Sequence, residues 1–308
     1  TTSYIDSFIK SNVSLSNMHV QLARTLPSWY TLLTGKYPQQ LDLRHMFKDP
    51  KKMKLVNVDL LDILQQNEYT TSIVADYAGD MFGFVKGFNN VRAPDYISVI
   101  REVEKATIQG MHCFLFPYIK NAVGSIIFND MDGFVSINDP YRLTNKVINE
   151  LQALSKGKKF FLTTFFSSTH FPYISPYPYY QLFTDKKYRR KYKYGHVPHP
   201  KEDNYIKQVD VKYIHDLYDG AVKAFNDSFK LIIDELKRLK LYDKTIIVLT
   251  SDHGENLYDD ETVFASHGDH NYGELVSRVP FIIKFHKSVQ SKIQKKLLNF
   301  NFNSIILF

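Results

Sequence analysis

Between Thr245 and Leu249 the chain reads Thr-Ile-Ile-Val-Leu with no polar alternation, then breaks into Ser251-Asp252-His253-Gly254-Glu255. An unbroken run of β-branched and aliphatic residues is the pattern of a strand buried on both faces, as inside a parallel sheet. Just ahead of it, Leu217, Ala221, Phe225, Phe229, Ile232, Ile233, Leu236 and Leu239 recur mostly at three- and four-residue spacing. That spacing makes one apolar helical stripe suited to lie on a sheet. A helix feeding a buried strand predicts an α/β domain, and in open α/β sheets ligands bind beyond the carboxyl ends of the strands. Asp252 and His253 are delivered to such an end. A carboxylate oxygen beside an imidazole nitrogen suits a divalent metal. The same residues also suit an ordinary turn.

The rest of the chain repeats the alternation. A helical pattern on Ile5, Phe8 and Ile9, with Ser3 or Asp6 as a cap, opens residues 1–18. Residues 54–69 read as a helix on Leu55, Val58, Leu61 and Leu64, followed by a strand over 70–75. Residues 80–149 are punctuated by Gly83, Gly87 and Asn89-Asn90, with helical pieces over 97–108 and 143–154. Another buried strand is expected over 159–166, with His170 at its carboxyl end, and a last one over 279–285. With 308 residues and 44% hydrophobic content, the chain can bury the core of one large α/β domain. No stretch of eighteen apolar residues offers a membrane span. The single cysteine, Cys113, excludes an internal disulfide and a cysteine-based metal cluster.

Thirty-nine Lys and Arg against 32 Asp and Glu leave a net charge of +7, a balance that favours anionic substrates or surfaces. The excess also fits a lysine-rich composition spread over the whole chain. Its densest run, Lys186-Lys187-Tyr188-Arg189-Arg190-Lys191-Tyr192-Lys193-Tyr194, interleaves cations with aromatics. Such a run can hold single-stranded nucleic acid or an anionic membrane surface, or it can be a solvated loop. No nucleic-acid fold signature accompanies it.

The stretch Arg24-Thr25-Leu26-Pro27-Ser28-Trp29-Tyr30-Thr31-Leu32-Leu33-Thr34-Gly35-Lys36-Tyr37-Pro38 carries its own start and stop signals. Pro27 suits the first turn of a helix, and Gly35 with Pro38 its end. Thr25 then sits at a helix N-terminus, where free N–H groups and the helix dipole favour an anion or an ionising hydroxyl. It can equally be a plain N-cap. A hydroxyl is a weak nucleophile at its free pKa, and metal coordination is one way to activate it. His170, at the same kind of strand end as His253, and His267 in Ser266-His267-Gly268 are placed to donate to a transferred group or to protonate a leaving group.

Taken in order, these segments resemble the sulfatases and their relatives in the alkaline phosphatase superfamily. Thr25-Leu26-Pro27-Ser28 through Leu32-Leu33-Thr34-Gly35-Lys36-Tyr37-Pro38 is similar to the sulfatase C-x-P-S-R followed by L-L-T-G-x-Y-P. His170-Phe171-Pro172-Tyr173 is similar to that family's H-x-P-Y element, and Ser251-Asp252-His253-Gly254-Glu255 with His267-Gly268 to its carboxyl half. The resemblance implies a single alkaline-phosphatase-like domain over 1–308, a three-layer α/β/α sandwich with a mostly parallel central sheet. It implies a divalent metal, whether zinc, manganese, calcium or magnesium, held by Thr25, Asp252 and His253. Thr25 is then the nucleophile, and His170 and His267 contact the transferred group. The substrate it implies is an anionic phosphoester or sulfoester, a membrane-associated one included.

Two departures refine the expectation. Formylglycine sulfatases need Cys or Ser where this chain has Thr25, and Arg where it has Trp29. Thr25 resembles instead the threonine of nucleotide pyrophosphatase/phosphodiesterases, lipoteichoic acid synthases and phosphoethanolamine transferases. A metal-dependent phosphoester hydrolase or transferase is therefore expected, with a sulfuric ester hydrolase and a catalytically degenerate binding protein as alternatives. The family's first strand, with its acidic metal ligand, has no evident counterpart, because Asp6 falls in a helical pattern. The resemblance thus implies a chain truncated at its start and at its end, with one metal ligand missing.

Overall fold

A computed structural model describes residues 1–43, 59–76, 87–93, 139–157, 159–173, 175–190, 192–193, 206–259, 267–268 and 274–290. The helical piece expected over 97–108 and Cys113 lie outside them. In chain order the elements are α1 (Ser3–Ser11), β1 (Val13–His19), α2 (Thr25–Thr34), α3 (Asp59–Gln66), β2 (Tyr69–Ala75) and β3 (Asn90–Arg92). They continue with α4 (Pro140–Leu154), β4 (Lys159–Phe165), α5 (Gln208–Arg238), β5 (Ile247–Thr250), α6 (Glu274–Ser277) and β6 (Arg278–Lys284).

The layering follows from the two faces of β2. Ile73 packs with Leu26, Tyr30 and Leu61 of α2 and α3. Its neighbour Val74 packs with Val147 and Leu151 of α4 and Phe229 and Ile233 of α5. Successive strand side chains point to opposite faces, so helices cover both sides and the domain is a three-layer α/β/α arrangement. Glu150 of α4 fastens the middle layer. Its buried carboxylate accepts hydrogen bonds from Ser72 Oγ at 2.8 Å and Asn90 Nδ2 at 3.0 Å, and Arg92 Nε pairs with it at 3.3 Å.

The middle layer departs from a mostly parallel central sheet. Among the described residues it consists of two three-stranded sheets. In order β3-β2-β4 the strands are parallel; in order β1-β6-β5 they are antiparallel. The short helical pattern on Ile5, Phe8 and Ile9 is α1, and β1 follows it as a strand the sequence did not announce. β5, expected to be buried on both faces, is instead an edge strand with Val248 51% exposed. Its apolar run faces a cavity of about 540 Å³ shared with β4, the edge of the other sheet. Strand content was legible from the run of β-branched residues, whereas the neighbour on each edge is a long-range property that local composition does not encode.

The basic run between α4 and α5 is held by its own aromatics. Tyr188 and Tyr192 are buried, and Tyr188 stacks on Tyr213 of α5 at 3.8 Å between ring centroids. Arg190 forms a fork to Asp210 at 2.6 and 2.8 Å, and Tyr188 Oη donates to the same carboxylate at 2.7 Å. These two rings are therefore committed to the core. No described helix is long and apolar enough to cross a membrane.

Candidate active site

Thr25 is the first residue of α2, and the extended residue before it, Arg24, is the N-cap. Thr25 is therefore not the cap. Gly35 ends the helix in the left-handed conformation, φ 67°, where its N–H bonds to Thr31 O at 2.9 Å. At 3% exposure Thr25 is buried, and its Oγ1 lies 3.4 Å from His253 Nε2. One turn on, Ser28 Oγ donates to Asp252 O at 2.5 Å, tying the helix start to the loop after β5.

That loop is pressed against α6. Gly254 N–H donates to Val276 O at 2.8 Å, and a Cβ added at Gly254 would fall on Leu275 O. Only glycine permits this backbone approach. A Gly254→Ala substitution is expected to destabilise the domain by about 1–3 kcal/mol. Chemical denaturation measures it, and an unchanged midpoint would contradict the close approach.

Three imidazoles gather beside the loop. The His253 and His267 ring centroids are 4.0 Å apart and those of His170 and His267 4.9 Å, while Phe171 stacks on His267 at 5.7 Å. His253 Nδ1 meets Gly254 O at 2.8 Å, and His170 Nδ1 meets Phe171 O at 2.7 Å. A carbonyl oxygen only accepts, so in both rings Nδ1 carries the proton and Nε2 the lone pair. His267 Nδ1 lies 3.0 Å from Glu255 Oε1.

Burial, reinforced by repulsion from His267 and partly offset by Glu255, pushes His170 down to about 4. Burial and repulsion from His253, partly offset by Asp252, push His267 down to about 3. Both rings are neutral at pH 7. In the unfolded chain they titrate near 6.5, so below that value the unfolded state binds more protons and stability falls with pH. Between about pH 6.5 and 5 each ring is expected to cost roughly 2 kcal/mol. Urea midpoints of the metal-free protein across that range measure the loss. His170→Gln is expected to reduce it, and a flat wild-type profile would refute neutral burial.

Asp252 supplies the acid. Its Oδ1 accepts the His253 backbone N–H at 3.1 Å, whereas Oδ2 is buried with no hydrogen-bond partner among the described residues, 3.6 Å from His253 Nε2. A buried carboxylate oxygen left in that state is costly unless a cation faces it. Thr25 Oγ1, Asp252 Oδ2 and His253 Nε2 are a hydroxyl, a carboxylate and an imidazole, a donor set that fits a divalent ion. Among the described residues no three His, Cys, Asp or Glu are arranged to hold one.

The structure thus gathers all five residues singled out in the sequence, Thr25, His170, Asp252, His253 and His267. Sequence reasoning missed three others. Ser28 positions the Asp252 backbone, and Glu255 holds His267. Asp76, directly after β2, accepts the Ser167 N–H at 2.8 Å and anchors the loop that carries His170. The signal for Asp76 was present, since an acid straight after an apolar strand is the pattern that marked Asp252. Asp6 lies in α1, bonded to Thr2.

The molecule is an α/β/α domain with a hydroxyl, a carboxylate and imidazoles gathered where helix α2 begins and strands β4 and β5 end. A family model for the sulfatases matches residues 1–304, and the chain belongs to the sulfatase family. Among solved structures it is similar to a phosphonate monoester hydrolase from Silicibacter pomeroyi, with TM-score 0.63 and 16% identity. That alignment covers 92% of this chain and 63% of the other. The C-terminal periplasmic domain of EcEptC from Escherichia coli, in complex with Zn, aligns with TM-score 0.57 and 14% identity over 95% of this chain and 68% of that one. A 2-O GAG sulfatase aligns with TM-score 0.57 and 14% identity over 92% and 58%. These likenesses show the fold. The chain spans less than two thirds of the length of the hydrolase from Silicibacter pomeroyi. No curated protein matches it significantly.

Proposed function

We propose that the protein is a metal-dependent phosphoester hydrolase or phosphoryl transferase that uses Thr25 as its nucleophile. The observation that carries this reading is the Thr25 hydroxyl, buried at the start of α2, 3.4 Å from His253 Nε2 and beside an unpartnered carboxylate oxygen of Asp252. Thr25, Asp252 and His253 would hold a divalent cation. Such an ion lowers the pKa of a bound hydroxyl and neutralises charge on phosphoryl oxygens.

The rest is the work of the chain. The helix N-terminus at Thr25 favours the negative charge that develops there. Attack forms a bond from Thr25 Oγ1 to phosphorus as the bond from phosphorus to the alkoxide breaks. The threonine proton passes through a neutral imidazole of the cluster and ends on the departing oxygen. Water, or an acceptor alcohol, then attacks the phospho-threonine and returns a proton to Thr25 Oγ1. A net charge of +7 helps gather anionic esters.

A sulfate-ester reading is favoured by the family itself and by the neighbour described as a sulfatase. Thr25 argues against the formylglycine route to it. Aryl phosphate diesters, phosphate monoesters and sulfates compared in the presence of zinc or manganese separate the two. Phosphoester turnover at least tenfold above sulfate turnover is expected, and the reverse order would replace the proposal.

A further inference from the structure

His267 turns Nδ1 toward Glu255 Oε1 at 3.0 Å, and the two side chains are 3% and 7% exposed. Burial and the neighbouring Glu255 push the Tyr173 hydroxyl up. Tyr173 belongs to the turn that carries His170, since its N–H donates to His170 O at 3.1 Å and its backbone sits at φ 59°. A carboxylate oxygen only accepts, so the proton shared with His267 belongs to Nδ1. The lone pair is then on Nε2, at the ring edge turned away from Glu255.

His253 and His170 reach the same state through backbone carbonyls, Gly254 O and Phe171 O. All three imidazoles thus present an acceptor nitrogen, and His267 does so through a side chain that substitution can remove.

We propose that Glu255 is a positioning residue that locks His267 in the Nδ1–H tautomer, so that His267 meets the bound group as a proton acceptor. This rests on the reading above that an ester is cleaved here. It revises the sequence expectation for His267, because a ring with its lone pair on Nε2 accepts a proton and does not donate one to a phosphoryl oxygen. Holding an active-site imidazole by a carboxylate fixes ring orientation as well as tautomer.

The test reads the tautomer directly, in metal-free protein labelled with ¹⁵N-histidine, by long-range ¹H–¹⁵N correlation at pH 7. A His267→Asn variant assigns the signals. The wild type is expected to carry the proton on Nδ1. In Glu255→Ala the population shifts toward the Nε2–H form, and Glu255→Gln, which keeps a carbonyl acceptor, restores Nδ1–H. Turnover of an aryl phosphodiester is expected to fall about 10–100-fold in Glu255→Ala and to recover in Glu255→Gln. A proton on Nε2 in the wild type, or no change in Glu255→Ala, overturns the proposal. Should Glu255→Ala fail to fold, a proton on Nε2 in Glu255→Gln does the same. An Nδ1–H signal without phosphoester turnover supports the positioning role and removes only the reading of the reaction.

Discussion

Replacing Thr25 with Ala is expected to lower phosphoester turnover by at least on the order of 10³-fold, as removal of a covalent nucleophile does in enzymes that depend on one. Folding should survive. Thr25 opens α2, where Ala has the better helix propensity, and the side chain makes no cap hydrogen bond. The stability change is expected to stay within about 1 kcal/mol, because only one methyl and one hydroxyl, the latter with a single 3.4 Å contact, are lost. Thr25→Ser keeps the hydroxyl and should retain measurable turnover. The decisive comparison is kcat of the three proteins at equal metal loading. Wild-type kcat in Thr25→Ala would remove the threonine from the chemistry.

Asp252→Asn is expected to separate metal binding from folding. In the metal-free protein Asp252 Oδ2 is buried and unpartnered, and substitution by an isosteric amide removes a buried charge. The ligand-free variant should therefore melt at or above the wild-type temperature. The wild type should gain about 2.7 kcal/mol when zinc or manganese stands at a hundred times its dissociation constant, and the variant almost none of it. Elemental analysis beside thermal melts checks both halves. Equal metal content and equal metal-induced stabilisation in the two proteins would place the cation elsewhere. The two substitutions also differ in kind, since Thr25→Ala is expected to silence chemistry while Asp252→Asn empties the site.

Much of the site was legible in the sequence, because its parts are local. Pro27 and Gly35 bracket a helix through backbone dihedral preferences, so Thr25 could be placed at its start from the residues alone. The run into Ser251-Asp252-His253-Gly254 announced a strand end in the same way. A threonine at position 25, in place of Cys or Ser, counted against formylglycine formation on chemical grounds alone.

Other features were written in residues far apart. β1 was hidden behind α1 because its alternation, Val13, Leu15, then Met18, is short and irregular, with a register shift between Leu15 and Met18 against β6. Whether the apolar run of β5 would be central or at an edge depended on its neighbours. One of these is β6, which pairs with it antiparallel from beyond the site loop.

The sequence by itself determined the chemistry available, a threonine hydroxyl at a helix start and an acid with imidazoles at strand ends, because helix caps and strand runs are short-range properties. Tertiary structure alone decided which of these groups meet. It brought Thr25 to His253 and closed Glu255 onto His267. It left Asp252 Oδ2 without a partner, because burial and approach distance are set by packing between elements and not by the residues within any one of them.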